Sequence, residues 1–192
     1  ADAKSKTYGD SDPTLTYTTI GLADGDSLTG VLDRAAGENV GTYAIDQGSL
    51  DNANYEITFV AADLTITKKV VVVTAVAKTK VYGDSDPGLT YTTEGLDDGD
   101  SLSGVLDRAA GENVGTYAIN KGSLGNSNYE ITFNSANLTI TKKALTVTAD
   151  AKSKTYGSND PALTYTPVGL INGDTLSGSL TRDAGENVGS FA

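Results

Sequence analysis

Cysteine, histidine, methionine and tryptophan are all absent from the 192 residues. Without cysteine there is no disulfide frame, no thiolate nucleophile and no sulfur-ligated metal site. Without histidine, the side chain that titrates near neutrality and the commonest metal ligand are both missing. Most enzyme classes fall away here, and the expectation is a chain that is not an enzyme. Freedom from both oxidisable sulfur residues suits an oxidising exterior, so the expected location is extracellular or the bacterial cell surface. Apolar runs such as Val70 to Val73 fall far short of the roughly 18 residues that cross a membrane, and no secretory leader is visible. Basic residues are also scarce: 14 Lys and Arg against 25 Asp and Glu give a net charge of -11. Nucleic acid and direct membrane contact both call for a clustered basic face, so neither is expected as a partner.

What is present is a repeat. Arg34-Ala35-Ala36-Gly37-Glu38-Asn39-Val40-Gly41-Thr42-Tyr43 returns at Arg108 to Tyr117 and, less faithfully, at Arg182 to Phe191, each time 74 residues on. Self-similarity at domain length marks an array of units. The period divides the chain into residues 1–69, 70–143 and 144–192. The first lacks a leading strand and the third its C-terminal part, so the chain reads as a window on a longer array.

The apolar period within a unit is two. Leu145, Val147, Ala149 and Ala151 alternate with Thr146, Thr148 and Asp150, and Tyr129, Ile131 and Phe133 share a face opposite Glu130 and Thr132. Further strands are expected at Val70–Val73, Leu89–Thr93, Ser101–Leu106, Thr116–Ile119 and Leu138–Thr141. Turns are expected over Lys78–Pro87 and Gly95–Asp100, and a bend over Arg108–Gly115. The 22 glycines penalise helices. Six or seven short strands per unit imply an all-β fold of tandem immunoglobulin-like β-sandwich repeats, 74 residues each, forming an elongated rod; the alternative, a β-grasp arrangement, would need a helix. At the joins, Lys68-Lys69 and Lys142-Lys143 link β-branched runs without the Gly, Pro or Ser of a flexible tether, which implies limited bending. Partners are accordingly the neighbouring repeats of the same chain, with strands of adjoining chains as complements where a unit is incomplete.

Tyr-Gly-Asp-Ser-Asp-Pro-x-Leu-Thr-Tyr, Gly-Leu-x-x-Gly-Asp-Ser-Leu, Arg-Ala-Ala-Gly-Glu-Asn-Val-Gly-Thr-Tyr, Asn-Tyr-Glu-Ile-Thr-Phe and Leu-Thr-Ile-Thr-Lys-Lys occur in that order, with departures at Ser158-Asn159-Asp160 and Asn172 in the third copy. In this the chain resembles the YGX-type MBG domain, a mostly bacterial repeat of large secreted and surface proteins. The resemblance implies tandem stalk or spacer repeats in an adhesin-like or fibre-forming protein, with no catalytic or binding residues to carry over.

Four groups of residues are candidates for chemistry. Asp10, Asp12, Asp24 and Asp26, with Asp84, Asp86, Asp98 and Asp100, lie in turns of the kind that bind Ca²⁺, against the plainer reading that Asp and Gly build tight turns. Ser158 and Asn172 replace two of these carboxylates in the third copy, so the expected cofactor is none, with calcium as the weak alternative. Arg34 with Glu38, Arg108 with Glu112, and Arg182 with Glu186 read as structural salt bridges, because a lone carboxylate beside Arg stays ionised. Tyr8, Tyr82 and Tyr156 are structural candidates at the start of each copy. Lys80, Asn113 and Glu112, with Lys6, Asn39, Glu38 and Lys154, Asn187, Glu186, have the residue types of an isopeptide staple, which needs a desolvated Lys of lowered pKa; the plainer reading is a solvated Lys and a turn-forming Asn. Thr16, Thr18, Thr65 and Thr67 offer a carbohydrate or ice face, or ordinary solvent-facing strand positions. The function expected is a non-catalytic spacer, and the alternative is a module binding calcium or carbohydrate.

Overall fold

A computed structural model describes residues 1–192 and contains no helix. Its first four strands are β1 (Lys4–Thr7), β2 (Asp33–Arg34), β3 (Gly41–Asp46) and β4 (Ala62–Thr67), joined in one sheet of order β1-β4-β3-β2. β1 runs parallel to β4, whereas β3 is antiparallel to both β4 and β2. Alternation sets which residues go inward: Leu64 and Ile66 of β4 are buried while Asp63, Thr65 and Thr67 are exposed.

The next group is β5 (Lys69–Ala75), β6 (Lys78–Val81), β7 (Tyr91–Glu94), β8 (Asp107–Arg108), β9 (Gly115–Asn120), β10 (Tyr129–Asn134) and β11 (Ala136–Thr141). These build a sheet of order β10-β5-β7 and another of order β6-β11-β9-β8, the second repeating the order of the first sheet at the 74-residue offset. β5 is central in its sheet, parallel to β10 and antiparallel to β7. Val71, Val73 and Ala75 of β5 share one core with Ile119 of β9, Leu138 of β11, Leu106, Leu124 and Tyr129. The remaining strands, β12 (Thr146–Ala149) and β13 (Tyr165–Val168), form an antiparallel pair.

By contacts the chain falls into two compact units that do not follow the repeat period. One comprises Ala1–Lys78, Gly88–Ala110 and Tyr117–Leu138, the other Thr79–Pro87, Gly111–Thr116 and Thr139–Ala192.

Two local expectations are corrected. Lys78–Val81, read as the start of a turn, is strand β6, because the charge of Lys80 is satisfied by carboxylates and does not keep the segment in water. Ser101–Leu106, read as a strand, is irregular apart from a bridge between Ser103 and Gly125. Gly104 has φ 89° there, and a Cβ on it would lie 2.4 Å from the Ser123 carbonyl oxygen, so the chain kinks where pairing would have to continue.

Candidate functional site

Two recurrent constellations stand out, a charge cluster inside each repeat and a contact at each joint. In the cluster of the first repeat, Lys6 of β1 lies with its side chain only 5% exposed and its Nζ 2.6 Å from Asp12 and 2.5 Å from Glu38. Arg34 of β2 donates from Nε to Asp12 at 2.6 Å and from Nη2 to Glu38, and from Nη1 to the carbonyls of Ala35 and Gly37. Its guanidinium also sits 5.6 Å from the centre of the Tyr43 ring. Two cations and two carboxylates thus tie β1, the following turn and the bend between β2 and β3 into one knot.

The same residue types occupy the same places in the other copies. Lys80 meets Asp86 and Glu112, and Arg108 lies over Tyr117. In the third, Lys154 meets Asp160 and Glu186, and Arg182 meets both carboxylates and lies 5.4 Å from Phe191.

Electrostatically the knot is closed. Arg34 and then Lys6 hold Asp12 below the ordinary carboxylate range, and Lys6 and then Arg34 do so for Glu38. Arg182, followed by Lys154, lowers Asp160 to about 2. Hydrogen bonds that Lys6 donates to Asp12 and then Glu38 raise its pKa, and those of Lys80 to Asp86 and then Glu112 do the same. Such groups hold their charges near neutrality, so the four side chains stay paired as ions.

The isopeptide reading finds little support: Lys6, Lys80 and Lys154 have raised pKa values where the chemistry needs lowered ones, and in the first copy the Asn39 side chain accepts from the Asn128 amide at 2.9 Å. The plainer reading of Lys80 as a solvated residue is also corrected, since its side chain is 4% exposed.

The acidic turns are divided by role. Asp12 and Asp86 belong to the knot, and Asp26 and Asp100 accept the hydroxyls of Tyr55 and Tyr129, each at 2.6 Å. Asp10, Asp24, Asp84 and Asp98 are exposed, and no three acidic side chains gather into a group able to hold a metal ion. The third copy keeps Asp160 and Asp174, the counterparts of the engaged residues, and loses those of Asp10 and Asp24. Of the threonines singled out, Thr67 donates to the Lys6 carbonyl and Thr16 to Asp2, while Thr18 and Thr65 face solvent.

The joints carry contacts that the one-dimensional pattern did not reveal. Only Lys68 separates β4 from β5. Across this first joint the Asn128 side chain accepts from the Val40 backbone at 3.0 Å and donates to Asn39, spanning 88 and 89 residues. Tyr8 packs edge-on against Tyr129, ring centres 5.4 Å apart. The Asp100 carboxylate, followed by burial, raises the pKa of Tyr8. Tyr129 is pushed up to about 12 by burial and then by its own bond to Asp100. Beside Tyr8, Gly9 adopts φ 85° and leaves room for the Asp97 carboxylate, which Lys69 binds.

At the second joint Tyr82 donates to Asp174 at 3.0 Å, and Gly83 lies under Ile171. A cleft of about 210 Å³ there is lined by Tyr82, Val114, Lys143, Leu145, Ile171 and Asp174. Tyr156, the third copy's counterpart, is 70% exposed. The Tyr-Gly pair of one repeat therefore seats against the Gly-Leu-x-x-Gly-Asp turn of the next. A larger cleft of about 700 Å³ in the third repeat is lined by Ala149, Leu163 and Leu180, counterparts of Ala75, Leu89 and Leu106. Those three belong to the core of the second repeat or pack against it, so this cleft is a core face.

No curated protein and no solved structure matches the chain. A family model for the MBG domain (YGX type) matches residues 1–65, 71–139 and 145–192. With the Tyr-Gly pair recurring in every copy and seated at both joints, the chain belongs to the MBG domain family of YGX type, as three tandem repeats.

Proposed function

We propose that these repeats are a non-catalytic structural spacer of a bacterial surface or secreted protein, adhesin-like or fibre-forming, that sets the distance between other parts of that protein. The observation that carries this reading is the joint. One residue separates β4 from β5, and Asn128, Tyr8, Asp100, Lys69 and Asp97 tie the flanking repeats together by side chains. A flexible linker would leave the repeats independent, whereas a bonded joint fixes each to the next. The partners are the neighbouring repeats, with strands of adjoining chains as a further means of assembly. The lack of Cys and Met supports an extracellular or cell-surface location. The alternative of a module for calcium or carbohydrate has less support, because Lys, Arg and Tyr already occupy the carboxylates of Asp12, Asp26, Asp86 and Asp100. Small-angle scattering tests the spacer: a rod-like cross-section is expected, and a compact particle or a broad spread of joint angles refutes it.

A further inference from the structure

From Ala3 to Lys68 the first repeat runs from β1 to β4, and these two strands are parallel neighbours, Lys4 against Leu64 through Thr7 against Thr67. Tension along a chain drags such strands past one another along their own axes, so every hydrogen bond of the ladder is loaded at once. Tension at one end of an antiparallel pair instead opens its bonds in turn. Beyond Lys68, β5 is also half of a parallel pair, lying beside β10 from Lys69 against Tyr129 to Thr74 against Asn134.

Side chains add a latch. Lys6 sits within β1, and Glu38, one of its two carboxylate partners, precedes β3 on the far edge of β4. Sliding β1 by one residue therefore pulls a nearly buried ammonium out of both carboxylates, a move that costs more than breaking an exposed pair. The ladder is closed at its end by the Tyr8 amide donating to the Thr67 carbonyl at 2.9 Å and by Thr67 Oγ1 donating to the Lys6 carbonyl at 3.2 Å.

We propose that the parallel β1–β4 ladder, latched by Lys6, is a force-bearing clamp that resists extension of the repeat along its chain. It rests on the spacer reading for its purpose, but not for its test. Because the chain has no cysteine, handles can be attached at chosen points. In optical tweezers the full chain would be pulled through Ala3→Cys with Lys68→Cys, which shears β1 along β4. In a second version, Asp46→Cys with Ala61→Cys peels β3 from β4 beginning at the Ile45–Ala62 pair. A rupture force severalfold higher in the first version is expected, with Lys6→Met lowering it and leaving the second version unchanged. Equal forces in the two versions overturn the clamp, and an unchanged shear force in Lys6→Met overturns the latch. An extended particle in scattering with equal forces would remove the clamp and keep the spacer; a compact one with high shear force would do the reverse.

Discussion

At the first joint Gly9 faces the Asp97 carboxylate held by Lys69, and at the second Gly83 faces the methyl end of Ile171. The tyrosine beside each glycine does the same thing in both, reaching an aspartate of the next repeat, Asp100 or Asp174. Lys69 is half-buried against its partner, whereas its counterpart Lys143 is exposed, since Ile171 offers no charge to bind. The backbone turn and the tyrosine hydroxyl therefore set the seat, and the contact over the glycine is exchangeable between an ion pair and an apolar one. Only shape is demanded at that place.

The largest effect expected separates these seated glycines from an unseated copy. Gly9, Gly83 and Gly157 have φ of 85°, 87° and 82°, but an added Cβ would meet Asp97 at 2.4 Å, Ile171 at 2.0 Å and nothing within 4 Å, respectively. Alanine at any of them costs about 1–2 kcal/mol of backbone strain. Gly9→Ala and Gly83→Ala add roughly 1–3 kcal/mol of overpacking, which denaturant unfolding would resolve against Gly157→Ala. Equal losses in all three would mean that the joints are not packed.

Alkali provides the next test. Tyr129 titrates at about 12 in the folded chain against 10.0 as a free group, so folding favours its protonated form. The resulting stability is fully present below pH 10 and is lost as pH rises from about 10 to about 12, by roughly 2–3 kcal/mol at the limit. Unfolding midpoints measured across that range should fall, and Tyr129→Phe should flatten the fall.

Asn128 and Asn54 are the same residue of the repeat, one in a joint and the other not. Asn128→Ala strands the Val40 amide and the Asn39 side-chain oxygen Oδ1, at about 1–3 kcal/mol. Hydrogen exchange at Val40 should quicken accordingly. Asn54 is exposed, and Asn54→Ala should stay within about 0.5 kcal/mol.

The smallest effect is that of Lys69→Met, under about 1 kcal/mol because the pair with Asp97 is about a third exposed. Its signature is salt: raising ionic strength should weaken the first joint in the parent and leave the variant unmoved. Ile171→Asp should bring that salt sensitivity to the second joint, by giving Lys143 a partner.

Much of the charge knot could be read in advance. Arg34 and Glu38 are four residues apart across a bend that contains Gly37 and recur at a fixed offset, so their pairing is a local one. Lys6 and Asp12 recur with them at Lys80 and Asp86 and at Lys154 and Asp160, and that constancy beside the loss of Asp10 and Asp24 was the available signal. By sequence alone Asp12 still reads as a turn or calcium residue, because a carboxylate in a Gly-rich turn has many uses and only its neighbours choose among them.

The sequence by itself determined the 74-residue period, the absence of helix and the strands whose alternation is clean, such as Tyr129–Asn134 and Ala136–Thr141. These are local properties, fixed by side-chain spacing along a few residues. Tertiary structure decided whether an alternating segment becomes a strand at all. Tyr55–Val60 has nearly the residues of β10 but is not a strand, and Val60 is 72% exposed. The reason is pairing: β10 has β5 beside it, and no counterpart of β5 lies beside Tyr55–Val60 within these residues. Tertiary structure likewise buried Lys6 and Lys80 and brought Asn128 to Val40, because the partner of a buried amide or ammonium is supplied by whichever strand folds next to it, not by spacing along the chain.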